Sequence, residues 1–403
     1  MSYRPLFLFG VARGGTNLVA GMLNARKDAR LALDPLMPFF KRLRSAILEE
    51  KGDAALIARY PERAPFQDYY FDSLGPRLLD ATMNGAIDLP LAADAALAEA
   101  VAQRAALESE ALPPLLAQVR ARSFAEFLSG VIAAVAGHSG AARRWCGTKE
   151  VWTTEFIPVF ARAMPHARFI VIRRDPRSIL ASLIGMMRRD ETQTAHTISY
   201  MRHWRKEAAV LDTIVGDSLL RERVLTVRYE AITTMPERAA REICGFLDLP
   251  FDDAMLTPAA EDGTASRGNS SFGGMKGIAD TSVARWRRVL DDDTLRAIEC
   301  LCGPEMRAEG YELTNAWPVL PDAGVQRAAA EADANPGSWR SDSGDTAADL
   351  AHEQARWEML AGRETPSSTD ISRHFLFEPF FERLCSTTPQ RTFAIAASVR
   401  GME

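Results

Sequence analysis

Short apolar runs recur along the chain, and most of them are followed by a helix-length segment with apolar residues on one face. Apolar runs of four to eight residues bounded by turn residues favour buried β-strands. Strands that alternate with helices predict an α/β fold, in which helices connect the strands of a central parallel sheet and flank it. The predicted strands span residues 6–9, 30–33, 144–148, 169–172 and 224–227.

Two stretches depart from this alternation and divide the chain. Residues 41–142 are alanine-rich and helix-prone, with breaks at "PERAPF", "LGP" and "LPP", which predicts a helical insertion between two parts of the core, 1–40 and 143–317. From residue 318 the composition shifts to Ala, Asp, Gly and Ser, which is typical of a linker. We expect residues 318–403 to form this linker and a C-terminal helical extension that includes a helix at 348–360.

The composition and net charge limit the kinds of molecule that this protein is expected to bind. The chain of 403 residues has a net charge of -5, so nothing attracts it generally to nucleic acid or anionic lipid, and any anion site must be local. Its five cysteines are scattered without the spacing of a zinc site, and we expect them to be reduced and to bind no metal. No apolar run approaches a transmembrane length, and the first is too short for a signal peptide. We therefore expect a cytoplasmic protein with neither a transmembrane segment nor a nucleic-acid partner.

The first candidate site is "GVARGGTNL", directly after the first predicted strand. A glycine turn at the start of a helix exposes backbone N–H groups that lack intrahelical partners, and such groups bind phosphate or sulfate. Arg13 adds a positive charge, Gly14 and Gly15 permit close approach, and Thr16 and Asn17 add polar groups. The stretch has neither the Gly-Lys-Ser/Thr of a P-loop NTPase nor a dinucleotide fingerprint. It predicts an oxyanion site.

The second candidate site is "RFIVIRRDPRSILASLIGMM", in which the fourth predicted strand leads into a helix. Arg174 follows that strand, and Ser182 lies eight residues later, a little over two helical turns along. Both candidate sites would lie at the carboxyl edge of one parallel sheet, where open α/β folds bind ligands. Two such sites suit a ligand with two separated anionic groups.

Together these motifs resemble those of the sulfotransferases that use 3′-phosphoadenosine 5′-phosphosulfate (PAPS), nearest to the tyrosylprotein and glycan branch and its bacterial members. The family's 5′-phosphosulfate loop, Arg/Lys-Ser/Gly-Gly-Thr-Thr, is matched by residues 13–17. Its 3′-phosphate motif, Arg-Asp/Asn-Pro followed by a serine, is matched by Arg174, Asp175, Pro176 and Ser182. The resemblance implies a P-loop-like fold. It further implies that the nucleotide is contacted by Tyr229, Ser270, Lys276 and Arg285, with Trp286 beside it.

The resemblance also implies a mechanism. Arg13 and the loop amides would stabilise negative charge on the leaving group, and no metal is required. The acceptor hydroxyl must lose a proton, which calls for a positioned base. Asp34, at the end of the second predicted strand, is close to where glycan and tyrosylprotein sulfotransferases place a catalytic glutamate. "GTKEVW" supplies a rival set, in which Lys149 would bind the transferring sulfonate and Glu150 would be the base.

The expected function is transfer of the sulfuryl group from PAPS to a hydroxyl of a small-molecule or lipid-like acceptor, with release of adenosine 3′,5′-bisphosphate. The insertion at 41–142 would form a lid over the acceptor. Two alternatives stay open: a glycan sulfotransferase, and a non-catalytic nucleotide-binding protein of the same fold. The extension at 318–403 is expected to pack on the core, to join two copies in a homodimer, or to line the substrate entrance.

Overall fold

The computed structural model describes residues 3–70, 73–137, 143–187, 197–259, 278–315, 319–331, 345–363 and 365–388. Within these ranges the strands are β1 (Arg4–Gly10), β2 (Ala29–Leu33), β3 (Trp145–Lys149), β4 (Arg168–Arg173) and β5 (Val224–Arg228). The α-helices are α1 (Thr16–Asn24), α2 (Met37–Lys51), α3 (Ala54–Arg59), α4 (Gly75–Met83), α5 (Asp94–Ala105), α6 (Pro113–Leu116), α7 (Phe124–Gly137), α8 (Ile157–Ala163), α9 (Pro176–Met187), α10 (Thr197–Gly216), α11 (Tyr229–Thr234), α12 (Pro236–Phe246), α13 (Trp286–Val289), α14 (Asp292–Ala308), α15 (Ala323–Glu331), α16 (Thr346–Leu360), α17 (Ser368–Phe375) and α18 (Glu378–Thr387).

The strands form one parallel sheet in the order β2-β3-β1-β4-β5. Strand β1 is central, with Leu8 in register with Lys149 of β3 and Gly10 in register with Ile172 of β4. All five predicted strands are present, and their ends differ from the prediction by at most two residues. The predicted α/β class with a central parallel sheet flanked by helices is confirmed. All strands run the same way, so the loops after β1, β2, β3 and β4 leave the sheet at one edge.

The chain divides into two compact units, which are described separately. Unit 1 contains the residues up to Ala64, together with Asp80–Arg174 and Ile214–Val283. Unit 2 contains Pro65–Leu79, Asp175–Thr213 and the chain from Ala284 onward. The whole sheet belongs to unit 1.

The core of unit 1 differs on the two faces of its sheet, because successive side chains of β1 point to opposite sides. Leu6 and Leu8 join an aliphatic cluster with residues of α1 and α12. On the other side, the Phe7 ring centroid lies 4.9 Å from that of Phe160, within a group of buried phenylalanines. This group also holds Phe39, Phe40, Phe124, Phe127 and Phe156. Burial of this apolar surface stabilises the sheet. The strand ends, from which the polar loops begin, are therefore held in place.

Unit 2 has ion pairs in its interior. Glu353 on α16 accepts hydrogen bonds from Arg202 Nε at 3.1 Å and Arg205 Nη1 at 2.6 Å, both on α10. Arg202 also donates to Asp349 at 2.6 Å. Glu305 on α14 pairs with Arg205 and with Arg356 of α16. These three arginines and three carboxylates are buried, so their opposite charges join the C-terminal helix α16 to α10 and α14.

Beyond residue 318 the chain is more helical than its composition predicted. Helix α15 forms inside the linker-like stretch, with Asp322 accepting a hydrogen bond from Val325 N at 3.0 Å. An acidic cap followed by an alanine-rich run has enough helix propensity to override the compositional signal. The helix predicted at 348–360 is present as α16. Among the described helices, no segment has the length and apolar character needed to span a membrane.

Candidate functional site

The loop after β1 contains a glycine that no other residue can replace. Gly15, directly before α1, has a φ of 101°, in the left-handed region. A Cβ atom placed there would lie 2.2 Å from Cδ2 of Tyr229, the first residue of α11. Glycine therefore allows the Tyr229 ring to pack directly against the loop. This contact joins the end of β1 to the end of β5.

The same loop presents backbone donors. Among the described residues, the N–H groups of Gly15, Thr16 and Asn17 have no hydrogen-bond acceptor. Helix α1 begins at Thr16, so these groups are at its positive end. An oxyanion in this loop would satisfy them. The observation fits the anion site predicted from the sequence.

Arg174 brings the second sequence motif to the first. Its Nη1 donates to the carbonyl oxygen of Arg13 at 2.8 Å, and its guanidinium lies 4.0 Å from the centroid of the Tyr229 ring. Its Nη2 also donates to the carbonyl oxygen of Ser282 at 3.5 Å. The Tyr229 hydroxyl lies 2.7 Å from Ser282 Oγ. Arg174 is held by two carbonyl groups and a ring face, so its charge is fixed beside the loop.

Asp34 and Lys149, proposed from the sequence as members of rival sets, form one ion pair. Asp34 follows β2 and Lys149 ends β3, and these strands are neighbours, so the Asp34 N–H donates to the Lys149 carbonyl oxygen at 2.7 Å. The Lys149 ammonium donates to Asp34 Oδ2. The Lys149 side chain is 2% exposed and the Asp34 side chain 17%. The Asp34 side chain is therefore partly exposed, although its Oδ1 is buried, whereas the Lys149 side chain is enclosed.

Glu150, the other candidate base, is buried in the next position along the chain. Its Oε1 accepts a hydrogen bond from Leu36 N at 3.1 Å. Burial raises the pKa of the Glu150 carboxyl well above its ordinary value, and the negative charge of Asp34 raises it further. Burial and the neighbouring anion thus both favour the neutral acid at Glu150.

Backbone strain is concentrated at this edge of the sheet. Arg13 after β1, Asp34 after β2 and Trp152 after β3 have φ values of 65°, 51° and 70°. Non-glycine residues in the left-handed region cost free energy, and such residues cluster at functional sites. The sequence contained no signal for these conformations. Trp152 is buried, and its N–H donates to the Gly10 carbonyl oxygen at 3.2 Å, which ties the loop after β3 to the end of β1.

The remaining predicted nucleotide contacts are not in this group. Ser182 is buried in α9, and Arg285 directly precedes α13, both in unit 2. The guanidinium groups of Arg177 and Arg287 lie 4.3 Å and 4.4 Å from the centroid of the Trp286 ring. Ser270 and Lys276 lie outside the described residues. The roles assigned to these residues stay predictions.

Sequence reasoning missed two residues of the insertion that lie beside Asp34. Arg104, at the end of α5, donates from Nε to the Asp34 carbonyl oxygen at 3.3 Å. Glu108 interacts electrostatically with Lys149, Asp34 and Arg104. Nothing in the sequence around them distinguishes these charges from ordinary solvated ones.

The described residues contain no group of three or more His, Cys, Asp or Glu side chains placed to hold a metal ion. All five cysteines are free thiols.

Residues 5–253 match the profile of the sulfotransferase family. This match covers more than half of the chain, so the protein belongs to the sulfotransferase family. The resemblance drawn from the two motifs is thereby confirmed.

Similar proteins include the protein-tyrosine sulfotransferase of Drosophila melanogaster, 23% identical over 256 residues that cover 62% of this chain and 39% of that protein. Carbohydrate sulfotransferase 3 of Mus musculus is 27% identical over 165 residues, covering 36% of this chain and 34% of that protein. The chain spans less than half of the length of these two relatives. Among solved structures, the sulfotransferase domain from the curacin biosynthetic pathway superposes with a TM-score of 0.41 at 15% identity, covering 82% of this chain and 97% of that domain.

Proposed function

We propose that this protein transfers the sulfuryl group of PAPS to an acceptor hydroxyl and releases adenosine 3′,5′-bisphosphate. The observation that carries the proposal is the contact of Arg174 with the Arg13 loop. It joins the two predicted anion sites through a fixed cation, and family membership gives the same reaction class. Bound PAPS would supply an activated sulfuryl group on its 5′-phosphate.

The residues of the loop fit such a ligand. The N–H groups of Gly15, Thr16 and Asn17 lack acceptors among the described residues, and Arg13 adds a cation to the same loop. We assign the 5′-phosphosulfate to this loop and the 3′-phosphate to Arg174. Donors fixed before the reaction stabilise charge as it develops on the leaving oxygen, with little reorganisation.

We assign the base to Asp34. Its Oδ2 accepts from Lys149, whereas its Oδ1 has no hydrogen-bond partner among the described residues. This oxygen is buried, and a carboxylate oxygen that has no partner is able to take the acceptor's proton as that hydroxyl oxygen bonds to sulfur and the bond from sulfur to the 5′-phosphate breaks. Glu150, favoured as the neutral acid, is suited to hold the Leu36 N–H rather than to act as the base.

Lys149 has two roles in this proposal. Its ammonium holds the Asp34 carboxylate in an ion pair, and it would neutralise the sulfonate oxygens during transfer. The two strand ends place both groups side by side, so proton removal and charge neutralisation would occur on neighbouring residues.

The proposal also includes the chemical class of the acceptor. We favour a small-molecule or lipid-like hydroxyl, with the insertion at 41–142 as its lid, because the sequence shows no extended basic groove for a polyanionic glycan. The relatives' names point instead to protein tyrosine and carbohydrate. A panel of a phenol, an aliphatic alcohol, a tyrosine peptide and an oligosaccharide, each with labelled PAPS, separates these classes. Pairing of two copies through the C-terminal extension, and a cytoplasmic location, stay predictions.

The decisive experiment measures sulfate transfer from labelled PAPS by the parent protein, Asp34→Asn and Glu150→Gln. Asparagine tolerates the left-handed backbone at position 34, and Asp34→Asn should lose about 100-fold or more in turnover. Because the variant leaves the enclosed Lys149 ammonium without its carboxylate, circular dichroism must first show that it is folded. Glu150→Gln retains an oxygen for Leu36 N and should keep most of its activity. The opposite ranking would make Glu150 the base. Bisphosphate binding without transfer to any acceptor of the panel would support the non-catalytic alternative.

A further inference from the structure

A single aromatic ring contacts both of the predicted anion sites. Tyr229 begins α11, directly after β5, and it is buried. One edge of its ring packs against the loop after β1, since a Cβ atom on Gly15 would lie 2.2 Å from ring carbon Cδ2. The face of the ring carries the guanidinium of Arg174, whose Cζ lies 4.0 Å from the centroid. The ring therefore packs on residues of both motifs that the sequence singled out.

The Tyr229 ring is itself restrained at both ends of the residue. Its hydroxyl oxygen lies 2.7 Å from Ser282 Oγ, and both residues are buried. Its carbonyl oxygen accepts a hydrogen bond from Thr233 Oγ1 at 3.1 Å, within α11. A buried ring that is held at its backbone and at its hydroxyl presents a fixed face to the guanidinium.

The ring and the carbonyl groups restrain Arg174 in different directions. The N–H groups of a guanidinium point outward in its plane, so the carbonyl oxygens of Arg13, at 2.8 Å, and Ser282, at 3.5 Å, restrain its edge. The Tyr229 ring lies against its face. A hydrogen bond as long as 3.5 Å is weak, so the ring contact is expected to carry a substantial part of the restraint.

We propose that Tyr229 is a positioning residue for the 3′-phosphate site: its ring holds the guanidinium of Arg174 beside the Arg13 loop, so that one nucleotide with a 3′- and a 5′-phosphate reaches both anion sites. This inference rests on the proposed function, which assigns the 3′-phosphate to Arg174. The resemblance to the family implied only that Tyr229 contacts the nucleotide. Here the ring acts through the arginine, and the ligand that it favours is an adenosine nucleotide phosphorylated at the 3′ position.

The test compares two ligands that differ only in the 3′-phosphate, adenosine 3′,5′-bisphosphate and adenosine 5′-phosphate. Calorimetric titration of the full chain with each gives the ratio of the two affinities, which we call the 3′-phosphate preference. Partial unfolding of a variant lowers the stoichiometry of both titrations and leaves this ratio unchanged. The ratio therefore separates positioning of Arg174 from a merely structural effect.

Tyr229→Leu removes the ring, whereas Tyr229→Phe retains the ring without its hydroxyl. We expect Tyr229→Leu to lower the 3′-phosphate preference by about 5- to 30-fold, the range of a desolvated contact between a cation and a ring. Tyr229→Phe should stay within about threefold of the parent. A parental preference in Tyr229→Leu would overturn the inference, and so would an equal loss in both variants, because the hydroxyl would then carry the effect.

The matched control is Phe251→Leu. It removes a ring of the same unit whose centroid lies 4.1 Å from the guanidinium of Arg241. This variant should keep the parental preference. The same loss in Phe251→Leu as in Tyr229→Leu would show that removal of any ring beneath an arginine has this effect, and the inference would be wrong.

A double-mutant cycle with Arg174→Ala distinguishes action through the arginine from an independent contact of Tyr229 with the nucleotide. In Arg174→Ala the cation that the ring positions is gone, so adding Tyr229→Leu should change the 3′-phosphate preference by less than about twofold. An independent contact predicts the full loss in both backgrounds. Additive losses would therefore contradict the proposal.

Sulfate transfer from labelled PAPS, measured on the same preparations, keeps the two proposals apart. If the preference changes as expected but no acceptor of the panel is sulfated, the proposed function fails and the role of Tyr229 stands. If the parent transfers sulfate while Tyr229→Leu keeps the parental preference, the inference fails and the proposed function stands. A parent that binds the two nucleotides equally would also overturn the inference, whether or not sulfate is transferred.

Discussion

Buried charges occur in both units of this protein, but they are arranged differently. In unit 2, Arg202, Arg205 and Arg356 are matched by Asp349, Glu353 and Glu305. At the sheet edge of unit 1, Lys149 pairs with Asp34, whose side chain keeps 17% exposure, and Arg174 donates to the carbonyl oxygens of Arg13 and Ser282. Residue types therefore do not distinguish a structural cluster from a ligand site. Exposure does in this case, since the ion pairs of unit 2 are enclosed whereas the Asp34 side chain at the sheet edge stays partly exposed.

The largest effect is expected from breaking the balanced cluster. Glu353→Gln preserves shape but removes the carboxylate shared by Arg202 and Arg205, leaving buried positive charge without full compensation. Loss of one partner of a buried pair costs about 3–5 kcal/mol. Chemical denaturation should show a corresponding fall in the free energy of unfolding.

The matched control is Glu237→Gln, which breaks the exposed pair between Glu237 and Arg241 on α12. Exposed helical pairs of this spacing contribute about 0.3–0.5 kcal/mol. Equal losses in Glu353→Gln and Glu237→Gln would mean that the buried cluster contributes no more than a surface pair.

An intermediate effect is expected from removing the Arg174 cation at the sheet edge. Arg174→Ala should weaken binding of adenosine 3′,5′-bisphosphate by about 10- to 100-fold, the loss typical of a charge-assisted hydrogen bond. Arg174→Lys keeps the charge but not the planar group that stacks on Tyr229, and it should fall between alanine and the parent. Calorimetric titration measures all three.

Arg241→Ala removes an exposed arginine of the same unit and is the control for nonspecific loss of charge. Unchanged affinity in Arg174→Ala, or the same loss in Arg241→Ala, would remove the assignment of the 3′-phosphate to Arg174.

The smallest effect concerns acid stability in unit 2. The rings of His352 and His374 stack with centroids 4.0 Å apart, and both residues are buried. Burial lowers the pKa of His374 to about 4 and that of His352 well below its ordinary value. A histidine with a lowered folded-state pKa stabilises the fold above its unfolded pKa of about 6.5, and this contribution is lost as the pH falls toward the folded value.

Between pH 7.5 and 5.5, His374 should thus account for about 1 kcal/mol of lost stability. His374→Gln should flatten the dependence of the free energy of unfolding on pH over that range. Exposed His166→Gln is the control and should retain the parental slope. A parental slope in His374→Gln would show that this ring does not carry the effect.

The sheet was predictable because its strands are apolar runs bounded by turn residues, and the anion loop because its glycine pair follows a strand. The pairing of Asp34 with Lys149 could not be predicted from the sequence, because 115 positions separate them. They come together because the strand order makes β2 and β3 neighbours. The buried arginines of α10 lie in "YMRHWRKEAAVL", where charges at helical spacing are typical of a solvated face. These arginines are buried because they form ion pairs with carboxylates of α14 and α16, which are distant in sequence.

The left-handed backbone at Asp34 also limits how this position can change over generations. Asparagine and glycine fit the same conformation, but the first removes the charge and the second removes the side chain. Glutamate would keep the charge at the cost of a less tolerant backbone and one extra methylene. Substitutions that fit this backbone most easily are therefore those that remove the carboxylate, so we expect the acid at this position to be lost more readily than exchanged for another acid.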